Sequence, residues 1–565
     1  MNIITDVSEA YHILEQEDEI AFDLETSGLS PWRDRIALMQ FCGRKSNVPI
    51  LIRTPSGMVP SAIETLFRHG NRLFVGHNVA AFDILFLGTH GVPWEHSRWY
   101  DTLIGEGIIS TTGRRDVSRT LKDSVRRRLG MTLDKDIEHG HWENEVLSER
   151  QKEYAAGDVI YLLELMDEQR AKADAQGQLQ ALDMETELLK VVSEMTLNGV
   201  PMRRDIINEW LTEQVVKQAE SKKWLLEELG PINLNSPVQK KKAAELKGVL
   251  LKDTAAETLQ EIANYGSGYP QKLAQMLLDY SAPAQRLKMY SEAWQNMHIV
   301  DDWVHPRYWQ TGTDTLRFSS SDPNFQQIPK DGRKIVGNIE GLTMVNADYS
   351  QIEVRIAAQI ASDEKLISVL QDGDAHTNVA SLIFGIPPEK VTFDMCRAAK
   401  AATFTLLFGG SHHRLYTSAR SMGSEMTEDE AYDIFTKFFQ VFEGLRRIRE
   451  RAMGMSQRRV VTIQFPNSAK RVLVGRNVTP ARILNTAVQG PAAIGMKYAL
   501  LEAKKNGIMQ YIGATVHDEL VATVPDNLIE DVKVQLEKSM IDGMHRAFPD
   551  MLVKVEVKCG KHWQS

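Results

Sequence analysis

Residues 343–358, TMVNADYSQIEVRIAA, begin as an apolar strand and turn helical directly after Asp348. An acid at a strand end, followed by a helix N-terminus, places a carboxylate where a cation can sit while backbone groups face phosphate. Residues 514–524, ATVHDELVATV, read as an alternating hairpin whose tight centre presents Asp518 and Glu519. One acid from each of two adjacent strands is the minimum for two-metal phosphoryl transfer. Taken alone, an acidic hairpin tip is an ordinary polar turn. Between these segments, MCRAAKAATFTLLFGG (395–410) spaces Lys400, Phe404 and Phe408 at i, i+4 and i+8 on one helical face. A cation followed by an aromatic platform suits a nucleotide, and a core stripe with a snorkelled lysine is the alternative.

Upstream, DEIAFDLE (18–25) reads as a strand on which Asp23 and Glu25 share a face. RIALMQFC and NVPILI continue a sheet meander, and RLFVGHNVAAFDILFL reads as a strand followed by a helix that Asp83 opens. In YAAGD, Tyr154 and Asp158 stand at i and i+4 on one helical face. Four carboxylates and a tyrosine could thus converge on a second two-metal site, with Tyr154 positioning the attacking water. A lone D-x-E is a common strand end; the ordered set is what carries weight.

The chain has 565 residues, 43% hydrophobic and 25% charged, which at ~150 per domain is room for about four domains or lobes. No run of 18 apolar residues occurs, and Glu9, Glu15, Glu17 and Asp18 stand where a signal peptide would be apolar, so a cytoplasmic protein is expected. Cys42, Cys396 and Cys559 lie too far apart for a disulfide framework or a cysteine zinc site. The net charge of -9 does not exclude a polyanionic partner, because nucleic-acid binding needs only local basic surface. Two such clusters exist: Arg114, Arg115, Arg119, Lys122 and Arg126 to Arg128, expected as a solvated helix face, and Lys240, Lys241, Lys242, Lys247 and Lys252.

DYSQIEVR, RAAKAATFTLLFG and VHDE, in that order, resemble motifs A, B and C of the family A DNA polymerases. TLRFSSSDPNFQQIP and NTAVQGPAA resemble the family's primer-template segment and palm helix, and INLNSPVQKKKAAEL with LLDYSAPAQRLKMYSEAW resemble its thumb. FDLETSGL, GHNVAAFD and LSERQKEYAAGDV resemble the three motifs of the DEDD exonucleases in their tyrosine subtype. The resemblance implies a multidomain α/β protein: an RNase H-like exonuclease domain (1–178), a helical thumb (179–295), a palm (296–370 and 470–565) and fingers (371–469). It implies that Asp348, the Tyr349 carbonyl and Asp518 bind two Mg2+, or Mn2+, with Glu519 in support. Asp23, Glu25, Asp83 and Asp158 would bind a second pair, and Asn78 precedes Asp83 by five positions where bacterial polymerase I has four. Lys400 would meet the triphosphate and protonate pyrophosphate, His376 and Gln351 would touch the incoming dNTP, Glu353 would be the steric gate and Phe404 would pack on the sugar. Arg317, Asn485, Gln489 and His517 would make minor-groove and primer contacts, and Lys240, Lys241 and Lys242 would grip duplex phosphates.

Three departures from the family pattern stand out. Cys396 occupies the usual arginine position, leaving Arg397 about 100° away on the helix to reach the triphosphate only by bending round. Phe408 replaces a tyrosine and has no hydroxyl for Glu353, so a less tightly held Glu353 is expected. Ala481 replaces an arginine for which Arg482 could substitute. No insertion that would dock a thioredoxin-type clamp interrupts the thumb, and no 5′ nuclease fits before Asp23, a layout that looks phage-like. The expected partners are primer-template DNA and dNTPs, with no membrane and a monomeric state; helicase or single-strand-binding partners are not specified. An RNase D-like nuclease with a nucleic-acid-binding C-terminal half, and a non-catalytic scaffold, are the competing readings.

Overall fold

The computed structural model describes residues 3–564 apart from 55, 69, 112–116, 134–141, 143–145, 266–267, 372–374 and 422–425. In the first domain β1 (Glu19–Thr26) pairs antiparallel with β2 (Ile36–Gly43), and β2 with β3 (Pro49–Arg53), which is the expected meander. β4 (Leu73–Gly76) and β5 (Arg98–Asp101) then add in parallel on the other side of β1, giving the order β3-β2-β1-β4-β5. Parallel addition requires crossovers, so helices cover the sheet and β2 is buried along its whole length. α1 (Asp83–Thr89) follows β4, and α2 (Glu149–Val159), opened by a Ser148–Gln151 capping box, packs on β1, β2 and β3.

α3 (Leu179–Asn198) lies at the junction of the two halves of the chain, packing on β5 and α1 on the one hand and on the segments Pro480–Lys505 and Ile512–Val516 on the other. The helical arm beyond it is built on α4 (Arg204–Leu229) and α5 (Gly268–Met289), which share a small core of their own around Leu225, Leu273 and Leu277. β6 (Leu342–Tyr349) leads into α6 (Ile352–Ala361); α7 (Ala375–Phe384) and α8 (Phe393–Leu407) pack together beyond it. A separate hairpin, 460–464 with 470–474, spans the 469/470 boundary expected between fingers and palm.

α9 (Pro480–Lys505), β7 (Ile512–Val516), β8 (Glu519–Pro525), α10 (Ile529–Ala547) and β9 (Val555–Gly560) complete the chain. The second sheet runs β7-β8-β6-β9, antiparallel throughout, and α10 packs on β6 and β9. α9 and α10 approach so closely at Gly543 that a Cβ there would fall 2.2 Å from the Ala499 backbone nitrogen.

The two halves are joined through buried polar contacts. Lys497 of α9 pairs with Glu185 of α3, both side chains fully buried, and the Lys497 ammonium also donates to the Gln310 carbonyl at 2.8 Å. Arg471 donates to the Gly107 and Asp314 carbonyls, each at 3.2 Å. The expected solvated arginine face is corrected in part: Arg119 is buried against Thr311, and Arg127 and Arg128 pair with the buried Glu106. A fully buried carboxylate needs such partners, and these arginines supply them. Arg126 is exposed and pairs with Asp123, whereas Arg114 and Arg115 lie outside the described residues.

Candidate active sites

Strand alternation turns Asp23 and Glu25 to the same face of β1, and α2 brings Asp158 over them. Ligand oxygens of Asp23, Glu25 and Asp158 lie within 4.8 Å of one another. Asp83 opens α1, is buried, and leaves Oδ1 without a hydrogen-bond partner. Burial first, and then the charge of Asp23, hold its carboxyl well above the usual range. A 3-10 turn at Val79–Ala81 takes up the long spacing from Asn78. Asp101 clamps that loop by accepting from the Asn78 and Leu103 N–H groups at 2.8 Å, and burial pushes its carboxyl up to about 6.

Tyr154 stands beside these acids; burial, then Glu25 and Asp23, push its hydroxyl up to about 12. Gln40 was not singled out from the sequence. It sits directly across from Asp23 on β2, is fully buried, and donates to Glu25 Oε1 at 3.4 Å, leaving its own Oε1 unpartnered. Its only sequence signal is an amide in an otherwise apolar strand. Converging carboxylates with an orphaned buried oxygen fit hard divalent cations, which bind through oxygen.

The second site is a cleft of about 480 Å³ above the palm sheet. Asp348, Tyr349, Gln351, Glu353, His376, Lys400, Phe404, His517, Asp518 and Glu519 all line it, as does Arg317. β6 and β8 set Asp348 directly opposite Glu519, and the Tyr349 N–H donates to the Asp518 carbonyl at 3.2 Å, tying the two acidic segments together. The two-residue turn His517–Asp518 is closed by His517 in the left-handed region, φ +56°. Desolvation at the cleft floor, with Glu519 and Asp518 facing it, pushes Asp348 up to about 7, although its side chain opens onto the cleft. Burial likewise raises Asp518, against the opposing pull of Arg317 and His517. Acids that repel one another this strongly fit a site made for cations.

Gln351 Nε2 lies 3.3 Å from His376 Nε2, and the His376 and Phe404 rings are 6.2 Å apart. Lys400 and Phe404, one turn apart on α8, are exposed to the same cleft, as the helical spacing predicts. Glu353 is held by an ion pair with Arg317, so it has a partner despite Phe408, whose ring packs against the core.

Several expected residues are placed elsewhere. Arg397 does not line the cleft; it pairs with Asp394 and lies over the Phe393 ring at 4.8 Å, because a partner three residues back on its own helix is nearer. Arg482 donates to Asp314 at 2.6 Å. Asn485 and Gln489 sit one turn apart on α9, both half-buried. Lys240 is buried within the arm, where desolvation lowers its ammonium, while Lys241 and Lys242 are exposed and Lys241 donates to the Lys252 carbonyl at 3.1 Å.

Glu519 is more constrained than a free supporting acid. Its carboxylate accepts from Asn346 at 2.6 Å, from the Trp563 indole at 2.8 Å and from Arg333 at 2.9 Å. Arg333 and Trp563 were not singled out from the sequence, since nothing local marks a loop arginine or a near-terminal tryptophan as neighbours of residue 519.

Residues 207–565 match the family described as DNA polymerase family A, and residues 2–173 match a 3′-5′ exonuclease family. The chain is 29% identical to the DNA polymerase I of Aquifex aeolicus, covering 97% of this chain and 96% of that one. It is 27% identical to the DNA polymerase I of Chloroflexus aurantiacus, over 96% of this chain but 61% of the longer protein. A solved structure, the POL domain of Pol1 from M. smegmatis in complex with DNA primer-template and dNTP, superposes with a TM-score of 0.82 at 22% identity, covering 99% of each chain. Both matched families generally use divalent metals. No helix among the described residues is long and apolar enough to cross a membrane. The chain belongs to the family A DNA polymerases and carries an N-terminal 3′-5′ exonuclease domain.

Proposed function

We propose that the palm cleft extends a primer 3′ end on a DNA template using dNTPs, and that the first domain removes mispaired 3′ ends. The convergence of Asp348, Asp518, Lys400 and Phe404 on one cleft carries this reading. Asp348, Asp518 and the Tyr349 carbonyl would hold two Mg2+, or Mn2+, and Asp23, Glu25, Asp83 and Asp158 another pair; such ions supply nucleophile activation and charge neutralisation. In the cleft the primer hydroxyl loses its proton to solvent as its oxygen attacks the α-phosphorus, the bond from the α-phosphorus to the bridging oxygen breaks, and pyrophosphate leaves. Lys400 brings an ammonium to the triphosphate and donates a proton to the departing oxygen. Phe404 packs on the sugar, Glu353 fills the space of a 2′-hydroxyl, and Gln351 and His376 orient the nucleotide. Arg317, Asn485, Gln489 and His517 follow the minor-groove edge, whose acceptors are common to both pair orientations and so report shape rather than sequence. Lys241 and Lys242 grip duplex phosphates in a salt-dependent way, and the buried Lys240 supports their helix. Arg397 stays with Asp394 rather than joining the triphosphate.

In the first domain Tyr154 orients the water that attacks the terminal phosphodiester. The protein acts as a monomer in the cytoplasm, without a thioredoxin-type clamp.

Primer extension and degradation on matched and mismatched ends test the reading. Wild type extends the matched end and trims the mismatched one; Asp518→Ala trims only, and Asp23→Ala extends only. Shortening without extension would favour an RNase D-like nuclease, and neither activity a scaffold.

A further inference from the structure

Glu519 begins β8 immediately after the turn that carries Asp518, and its carboxylate is saturated by Asn346 and Trp563 from behind the cleft and by Arg333 at its edge. Asn346, two residues before Asp348 on the same face of β6, supplies one donor, and Arg333 and Trp563 supply the others. The last two form a unit. The Arg333 guanidinium lies 4.0 Å from the Trp563 ring centroid, Phe325 stacks on the same indole at 5.5 Å, and the backbone N–H of Trp563 donates to the Val336 carbonyl at 3.0 Å. The Gln564 carbonyl then accepts from both Arg333, at 3.0 Å, and Asn346, at 3.3 Å. Trp563 is 1% exposed, so its indole N–H donates to Glu519 without competition from water. With four N–H groups directed at two oxygens, Glu519 has little capacity left for a metal and instead anchors the turn.

We propose that Trp563 and Arg333 are positioning residues for polymerisation: they pin Glu519, and through it the His517–Asp518 turn, at the depth where Asp518 faces Asp348. This rests on the polymerase reading and adds to it that one residue ahead of β6 and one after β9 set the catalytic geometry. Trp563 is buried away from the cleft, and Arg333, which lines it, directs its guanidinium at Glu519 and the Gln564 carbonyl rather than at the nucleotide. The chemical step therefore depends on them, while dNTP affinity and the distant exonuclease site do not.

Trp563→Phe keeps an aromatic ring for stacking and removes only the donor; Arg333→Lys keeps the charge and removes the fork. Each should lower kcat for single-nucleotide addition about ten- to hundredfold, with dNTP KM within about threefold of wild type. Exonuclease activity on single strands should be unchanged, which serves as the folding control. In a Glu519→Ala background, Trp563→Phe should have no further effect, because the group it acts through is gone. Equal loss of extension and exonuclease, wild-type extension by Trp563→Phe, or full additivity with Glu519→Ala would each overturn the proposal. Exchange of the Trp563 indole proton, read by NMR without substrate, should accelerate in Glu519→Ala; unchanged exchange overturns the anchoring bond. A wild-type protein that fails to extend primers instead overturns the polymerase reading and leaves that exchange result standing.

Discussion

Arg317 donates from Nη2 to Glu353 Oε1, and the same nitrogen lies 3.8 Å from Asp518 Oδ1. One guanidinium thus bridges the acid assigned to sugar selection and an acid assigned to the metals. It also supplies the hold on Glu353 that Phe408, lacking a hydroxyl, does not. A charge-assisted hydrogen bond contributes roughly 1.5–3 kcal/mol, or about ten- to hundredfold in a rate ratio. Arg317→Ala should therefore raise the ratio of ribonucleotide to deoxyribonucleotide incorporation by about that factor, and Phe408→Tyr should change it by less than about threefold. Steady-state incorporation of the paired nucleotides measures both, and an improvement in discrimination by Phe408→Tyr would refute this account.

Asp83 should trade stability for function. Its buried carboxylate is held well above its ordinary range, so in metal-free protein the folded state binds a proton that the unfolded chain releases. Stability from this group is greatest at low pH and is lost as pH rises from the ordinary value through the raised one. Asp83→Asn should accordingly raise the melting temperature at pH 8 in EDTA, leave it nearly unchanged at pH 4, and abolish exonuclease activity.

The same sign applies to Asp348, pushed up to about 7. Between about pH 4 and pH 7 the metal-free protein loses this contribution as pH rises, and a divalent cation replaces the proton. The stabilisation by millimolar Mg2+ should be larger at pH 8 than at pH 5.5. Asp348→Asn should reduce that difference in scanning calorimetry.

The Lys497–Glu185 pair is fully buried, so removing one partner strands a charge. Lys497→Met should destabilise by about 3–5 kcal/mol, and the double variant Lys497→Met/Glu185→Leu by less than either single change. Denaturant unfolding of the three variants, followed by circular dichroism, reads this out.

What could be read from residue order follows physical range. Asp23 with Glu25, Tyr154 with Asp158, and Lys400 with Phe404 are pairs set by the local period of a strand or helix, and the structure puts each pair on one face of one site. Arg397 lies outside the cleft lining because its direction is decided by a rotamer and a nearby Asp394, not by helical phase alone. Lys240 reads as surface from its charge, yet tertiary packing buries it. Arg333, Gln40 and Trp563 become neighbours of their acids only through strand pairing or chain return, and no short stretch encodes that. The junction helix α3 packs on both halves of the chain, and its apolar face does not say in advance which half it serves.

Glu185 projects from that shared helix into a fully buried contact with Lys497 and Gln310, and Arg471 stitches Gly107 to Asp314 across the same seam. A seam locked in this way gives neither workshop freedom to swing toward the other. On the proposed function, a frayed terminus then peels from its template and reaches the first domain by moving itself, not by a swing of the two halves. The delay between misincorporation and excision should track the melting of the final base pairs, so an A·T-rich terminus should reach the trimming chamber sooner than a G·C-rich one.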